Sequence, residues 1–144
     1  RLLHSFPTRR SSDLDACRRV MQNIFIAAPT LSQYAATAAL QNRTDIEAMR
    51  QAYDLRRSYL LNELPKLGFD VVIEPQGAFY IYANVSSLTN DSKSFCWNLL
   101  EQTGVAITPG EDFGSYRSEQ HLRFSYATSL EDIHEGIKRI RNFL

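Results

Sequence analysis

The sequence predicts an α/β chain of the α+β kind, in which helices cover one side of a small mixed or antiparallel sheet. Two observations support this fold class. From residue 44 onward, helical and strand patterns alternate in the order α-β-β-α-β-β-α, without an internal repeat or a low-complexity linker. The 144 residues, of which 44% are hydrophobic, also fit one domain of average size with a core of its own.

The helices are predicted from their end signals and from apolar residues at helical spacing. A capping-box pattern of Thr44 and Glu47 starts a long helix, and Gly68, which tolerates a left-handed backbone, closes it. A second helix over residues 92–103 ends in the same way at Gly104. The last helix starts at a second capping box, and its core face carries four apolar residues: Ile133, Ile137, Ile140 and Leu144.

Short β-rich runs lie between these helices. Residues 69–73 and 78–83 are expected to form a hairpin-like pair, and residues 105–107 a further strand. Residues 121–126 alternate, which indicates a half-buried strand. Leu122 and Phe124 then face the core, and Arg123 faces the other side.

The chain before residue 44 divides into two parts. Residues 1–14 are rich in Arg and Ser and lack an apolar period, and they resemble translated sequencing-adapter sequence more than a targeting peptide. We expect them to be a leader foreign to the protein, with the natural N-terminal part missing. Residues 15–43, which include an Ala-rich helical run, are expected to be a remnant of a larger domain or bridging segment, and residues 44–144 the small domain.

Composition argues against several classes of function. The 16 basic and 16 acidic residues balance to a net charge of zero, whereas nucleic-acid-binding domains are usually basic. The longest apolar run, residues 24–29, is much shorter than the ~20 residues that span a bilayer. Two cysteines and three scattered histidines suggest neither a disulfide framework nor a metal site. We therefore expect a cytoplasmic protein with free thiols and no nucleic-acid or membrane partner.

Arg123 is the first candidate for a binding residue. A guanidinium on the sheet face opposite the core can hold a carboxylate through two parallel hydrogen bonds, as a site for a small anionic acid requires. From spacing alone an ordinary surface arginine is the preferred interpretation, and the binding role stays open. Phe79 is ambiguous in the same way, since it could border an apolar pocket or pack in the hairpin core, with Gly77 allowing an unusual backbone angle. The loop over residues 108–114 could line a site or only connect two strands.

Catalytic groups are not evident in the sequence. The serines lack a nucleophile-elbow setting, and the three histidines lie in unrelated elements. Lys66, Lys93 and Lys138 fall at a helix end or on polar helical faces, where a reactive, desolvated amine is not expected. The sequence therefore supports no catalytic residue.

Several strings taken together resemble the C-terminal part of class I/II aminotransferases. They are Ala28-Pro-Thr-Leu-Ser-Gln-Tyr-Ala-Ala36, Tyr53-Asp-Leu-Arg-Arg57, Pro75-Gln-Gly-Ala-Phe-Tyr80, Gly104-Val-Ala-Ile-Thr-Pro-Gly110, Phe113-Gly114 and Leu122-Arg-Phe-Ser-Tyr-Ala127. The resemblance runs from about residue 20 to residue 144. It implies the small C-terminal domain of a fold-type I enzyme with pyridoxal 5′-phosphate as cofactor. It further implies a homodimer that transfers an amino group between an amino acid and a 2-oxo acid.

The resemblance also implies roles for individual residues. Arg123 would bind the substrate α-carboxylate and Phe79 would border the substrate side chain, while the entrance would be shaped by Thr108, Pro109, Gly110 and Phe113. The family's cofactor-binding lysine and its phosphate motif should precede residue 20, where the leader stands instead. This chain is therefore expected to be inactive alone, with its cofactor-binding residues unknown.

Two other interpretations stay open. The first is a lyase or synthase of the same fold, which would share much of this C-terminal pattern. The second is a stand-alone α+β module for ligand binding or dimerisation. In that module the aromatic residues Phe79, Tyr80 and Tyr82 would contact a ligand or partner.

Overall fold

The computed structural model describes the backbone of residues 11–144 and the side chains from Leu14 onward. Its helices are α1 (Ser11–Ile24), α2 (Thr30–Gln41), α3 (Arg43–Glu63), α4 (Ser92–Thr103) and α5 (Leu130–Phe143), and its strands are β1 (Tyr80–Asn84), β2 (Thr108–Pro109) and β3 (His121–Ser125). The chain divides into two compact units, and the division lies within α3, after Ile46. Across residues 11–144, none of the helices combines the length and the apolar character needed to span a bilayer.

The first unit is helical and has no buried side chain among its described residues. Most of the expected leader lies outside the described residues, but its last four residues belong to α1. The helix therefore crosses the predicted boundary at residue 14. The Ala-rich run forms α2 as predicted, starting after Pro29. Several large apolar side chains of this unit are more than half exposed, among them Phe25, Ile26, Leu31, Tyr34 and Leu40.

The long helix α3 begins one residue earlier than predicted. The Oδ1 atom of Asn42, rather than the Thr44 hydroxyl, accepts a hydrogen bond from the backbone N–H of Asp45. The carboxylate of Glu47 does not reach back to the cap, because it accepts hydrogen bonds from Arg50 and Gln51. Gly68 and Gly104 do have the left-handed backbone predicted for them, with φ angles of 86° and 71°. Ser129 caps α5 as predicted, accepting from the backbone N–H of Asp132 at 3.0 Å.

The sheet has three antiparallel strands in the order β1-β3-β2, which confirms the predicted α+β class. Two predicted strands are wrong in extent. Of residues 69–73, only Asp70 pairs, in an isolated bridge to Asn84. The strand predicted at 105–107 forms instead at Thr108 and Pro109, which lie opposite Arg123 and Leu122.

The core of the second unit lies between one face of the sheet and the helices. Leu122 and Phe124 of β3 and Ile81 and Ala83 of β1 are almost fully buried, as alternation predicts. Helices α3, α4 and α5 add Leu60, Cys96, Leu99, Ile133, Ile137 and Ile140 to the same cluster. The sheet's other face is not part of this core, and it carries the candidate site.

Candidate functional site

Arg123 lies on the sheet face opposite the core, at the centre of the middle strand. Tyr82 of β1 is its partner on one side and Thr108 of β2 is its partner on the other. The side chain is half-buried rather than splayed into solvent. The alternation of β3 predicts this orientation, because the residues before and after Arg123 are core residues.

The guanidinium of Arg123 is enclosed by aromatic rings and has few hydrogen bonds. Its central carbon lies 4.5 Å from the ring centre of Phe113 and 5.5 Å from that of Tyr80, which is cation–π distance. One Nη donates to the Thr108 hydroxyl at 3.4 Å. The Nε atom is buried and has no hydrogen-bond partner in the described part of the chain. No described carboxylate forms an ion pair with it. A guanidinium has five N–H donors, so this group can still donate hydrogen bonds to an external anion.

The loop predicted to shape the entrance covers this group from the β2 side. A 3₁₀ turn over Gly110–Phe113 follows β2 and carries Phe113 over the guanidinium. Gly110 is buried, and a Cβ there would collide with the carbonyl oxygen of Ser118 and lie 2.7 Å from the Tyr82 hydroxyl. The close approach that glycine permits is therefore to the protein's own backbone.

Phe79 lies just before β1 and is exposed, so it does not pack in a hairpin core. Its ring meets that of Tyr80 edge-on at 5.5 Å, so Tyr80 contacts both Phe79 and Arg123. The positive φ expected near Gly77 occurs at Ala78, with a value of 64°. Tyr126 holds this segment, because its backbone N–H donates to the Phe79 carbonyl at 2.8 Å and its hydroxyl donates to the Ala78 carbonyl.

A hollow of about 440 Å³ lies at the β1 edge of the same face. The rings of Tyr80 and Tyr82 form one wall, and a second wall comes from the segment before β1, through Val72, Ile73 and Pro75. This volume is within the range of small-molecule sites. Burial raises the pKa of the Tyr82 phenol above its ordinary value of 10.0.

His121 and Asn84 complete the hollow, and sequence reasoning did not single them out. The imidazole of His121 stacks on Tyr82, with ring centres 4.9 Å apart and planes 3° from parallel. Its Nδ1 lies 2.8 Å from the Arg117 carbonyl, and its Nε2 lies 3.5 Å from the Asn84 amide nitrogen. The alternation that places Arg123 on this face places His121 there too, so the pattern could have identified it.

The lysines lie elsewhere. The ammonium group of Lys66 is 2.6 Å from Glu63, and that of Lys138 is 3.8 Å from Glu135. Lys93 lines a separate hollow of about 300 Å³ on α4, together with Cys96 and Trp97. Residues 14–144 contain no group of three or more His, Cys, Asp or Glu side chains placed to hold a metal ion.

Comparison with known proteins identifies the family of this chain. A family model described as aminotransferase class I and II matches residues 10–140. The chain is 40% identical over 133 residues to a (5-formylfuran-3-yl)methyl phosphate transaminase of Methanocaldococcus jannaschii, covering 91% of this chain and 35% of that protein. It is 43% identical over 124 residues to a valine–pyruvate aminotransferase of Mycobacterium tuberculosis, covering 85% of this chain and 32% of that protein.

A solved structure gives the same result. The crystal structure of an aminotransferase from Mycobacterium tuberculosis superposes with a TM-score of 0.76 at 42% identity, covering 87% of this chain and 33% of that one. The chain thus spans about a third of the length of the relatives it matches. Its α+β architecture is part of the fold-type I aminotransferase fold. Because the family model matches nearly the whole sequence, the chain belongs to the class I and II aminotransferase family.

Proposed function

We propose that this chain is the small C-terminal domain, with a bridging segment, of a pyridoxal 5′-phosphate-dependent aminotransferase. Arg123 binds the α-carboxylate of the amino acid and 2-oxo acid substrates. The observation that carries the proposal is the half-buried guanidinium of Arg123, which has a buried Nε without a hydrogen-bond partner and no ion-pair partner among the described residues. A substrate carboxylate supplies the acceptors that this group lacks.

The surroundings of Arg123 favour the binding of a carboxylate. Phe113 and Tyr80 cover the guanidinium and lower the local dielectric, which strengthens its attraction for a carboxylate. Phe79 borders the substrate side chain, and Thr108, Pro109 and Gly110 support the turn that carries Phe113. These roles are supported by the residues' positions around one face of the sheet.

The cofactor does not fit the residues of this chain. A lysine that holds pyridoxal 5′-phosphate must face the substrate site, whereas Lys66 and Lys138 pair with neighbouring glutamates and Lys93 lines the hollow on α4. The proposal therefore assigns no step of the cofactor chemistry to these residues. The full-length enzyme is proposed to be a cytoplasmic homodimer. The exposed apolar side chains of α1 and α2 support a role for the first unit as a segment that packs against further protein.

Titration of the purified chain with propionate tests the carboxylate assignment. Arg123→Gln should weaken binding at least about tenfold, because a hydrogen bond to a charged group contributes roughly 1.5–3 kcal/mol. Arg50→Gln, which removes an exposed arginine paired with Glu47, is the matched control and should leave the affinity unchanged. Equal affinities for the wild type and Arg123→Gln would contradict the proposal. So would turnover of any amino acid with 2-oxoglutarate by this chain and added cofactor.

A further inference from the structure

The hollow beside Arg123 has the composition of a pocket for an uncharged group. Its walls are Val72, Ile73 and Pro75 on one side and the rings of Tyr80 and Tyr82 on the other. None of the described residues that line it carries a carboxylate, an ammonium or a guanidinium group. A charged group entering it would lose hydration without gaining a partner.

His121 presents a ring whose two nitrogens are already engaged by neighbouring groups. Its Nδ1 donates to the Arg117 carbonyl, which fixes the proton on that nitrogen. Its Nε2 is then the acceptor that faces the amide nitrogen of Asn84. Both ring nitrogens therefore have a partner within the protein, and the ring contributes an aromatic surface stacked on Tyr82.

The hollow and the carboxylate-binding group are neighbours. Tyr80 lines the hollow and lies 5.5 Å from the guanidinium carbon of Arg123, and Tyr82 lines it and is the cross-strand partner of Arg123. One small molecule can therefore place an anionic end at Arg123 and an apolar body against the two tyrosines. A volume of about 440 Å³ is ample for a phenyl or branched aliphatic group.

We propose that this hollow binds the side chain of the substrate, and that this side chain is aromatic or large aliphatic. The inference rests on the proposed function, because it takes Arg123 as the carboxylate-binding residue. Burial of the apolar group against the tyrosines and Ile73 supplies the affinity.

Three acids distinguish the hollow from the guanidinium. The purified chain is titrated with propionate, succinate and 3-phenylpropionate, and each dissociation constant is measured by calorimetry. We expect 3-phenylpropionate to bind about tenfold tighter than propionate, and succinate to gain nothing over propionate. Succinate binding as tightly as 3-phenylpropionate, or propionate as tightly as the phenyl acid, overturns the inference.

Ile73→Asp tests the site directly. Ile73 is 79% exposed, so the change places a charge in the hollow without disturbing the core. It should abolish the advantage of 3-phenylpropionate and leave propionate binding within about twofold. Ile26→Asp, at an 88% exposed position of the first unit, is the matched control and should change neither acid. An unchanged preference in Ile73→Asp overturns the inference. If none of the three acids binds the wild type more tightly than it binds Arg123→Gln, the proposed function is overturned instead.

Discussion

The ring of Phe113 lies directly over the guanidinium of Arg123, with 4.5 Å between the ring centre and the guanidinium carbon. The two residues come from different elements, since Phe113 ends the 3₁₀ turn after β2 and Arg123 lies in the middle of β3. The ring restricts a long cationic side chain and shields it from water. The site therefore depends on the loop as much as on the strand.

Replacement of Phe113 by leucine should weaken carboxylate binding without unfolding the chain. Leucine keeps an apolar cover but loses the cation–π attraction, which is worth about 0.5–1 kcal/mol at a partly exposed site, or about two- to fivefold in affinity. Titration with propionate measures the effect. Tyr116→Leu removes an 86% exposed aromatic residue between β2 and β3 and should have no effect. An unchanged affinity in Phe113→Leu would show that the ring does not order the guanidinium.

Gly110 is required for space rather than for an unusual backbone angle. An alanine Cβ at this position would collide with the Ser118 carbonyl oxygen and lie 2.7 Å from the Tyr82 hydroxyl and 2.8 Å from the His121 carbonyl oxygen. Gly110→Ala should therefore lower the free energy of unfolding by about 1–3 kcal/mol in urea denaturation, the usual cost of overpacking.

Gly136→Ala is the control for this prediction, because an added methyl group there meets nothing within 4 Å. In the interior of α5, alanine should raise the free energy of unfolding by about 0.5–1 kcal/mol. Opposite signs for the two substitutions are expected. A neutral Gly110→Ala would mean that the loop after β2 shifts without cost.

Features that depend on neighbours in the chain could be predicted from the sequence. Ser129 caps α5 and Gly104 closes α4 because each interaction involves residues within one or two turns. The orientation of Arg123 follows from alternation along a single strand, which is also a local property. For this reason the central residue of the candidate site was accessible to sequence reasoning.

Features that depend on distant pairing were not predictable in the same way. Residues 69–73 have strand-forming side chains, yet only Asp70 pairs, in a bridge to Asn84 at the free edge of β1. Val72 and Ile73 therefore line a hollow instead of extending the sheet.

Helix α1 was not predicted from the sequence for a different reason. Its apolar residues Cys17, Met21 and Ile24 keep helical spacing after residue 14, but the assumed boundary there cuts off Leu14 and the first turn of the helix.

The two cysteines should differ sharply in reactivity. Cys17 is exposed, whereas Cys96 is buried, and burial, with a smaller contribution from the Asp112 carboxylate, raises the pKa of its thiol to about 12. In native chain at pH 8, a thiol reagent should modify Cys17 within minutes and Cys96 only at the rate of unfolding. A Cys17→Ser variant isolates the slow reaction. Fast modification of Cys96 in that variant would contradict its burial.

The same pKa shift predicts a loss of stability in alkali. The thiol of Cys96 keeps its proton in the folded chain up to about pH 12, while the unfolded chain releases it near the ordinary value of 9.0. Between these values the folded state binds more protons, so the free energy of unfolding falls as pH rises, by at most about 1.4 kcal/mol per pH unit for one proton. Urea denaturation from pH 8 to 11 measures this slope. Cys96→Ala should make it shallower, although Tyr82 and Tyr126, whose pKa values burial also raises, add to it.

Arg57 should affect ligand binding in the hollow by holding one of its walls in place, without lining the hollow itself. One of its Nη atoms donates to the Glu74 carboxylate at 2.8 Å and to the Pro75 carbonyl at 3.1 Å, while Nε and the other Nη donate to Asp54. The guanidinium therefore ties the segment that forms one wall of the hollow to α3. Arg57→Gln breaks these contacts and should reduce affinity for 3-phenylpropionate about three- to tenfold.

A positioning role for Arg57 requires that the loss depend on the ligand. Propionate binding should stay within about twofold in Arg57→Gln, because its carboxylate contacts only Arg123. Arg57→Lys should give an intermediate loss, since a single ammonium cannot hold Asp54, Glu74 and the Pro75 carbonyl together as the planar guanidinium does. Arg50→Gln, on the same helix but paired only with exposed Glu47, should affect neither acid. Equal losses for both acids in Arg57→Gln would indicate general destabilisation, and the wall would then have no specific effect on the side chain that the hollow accepts.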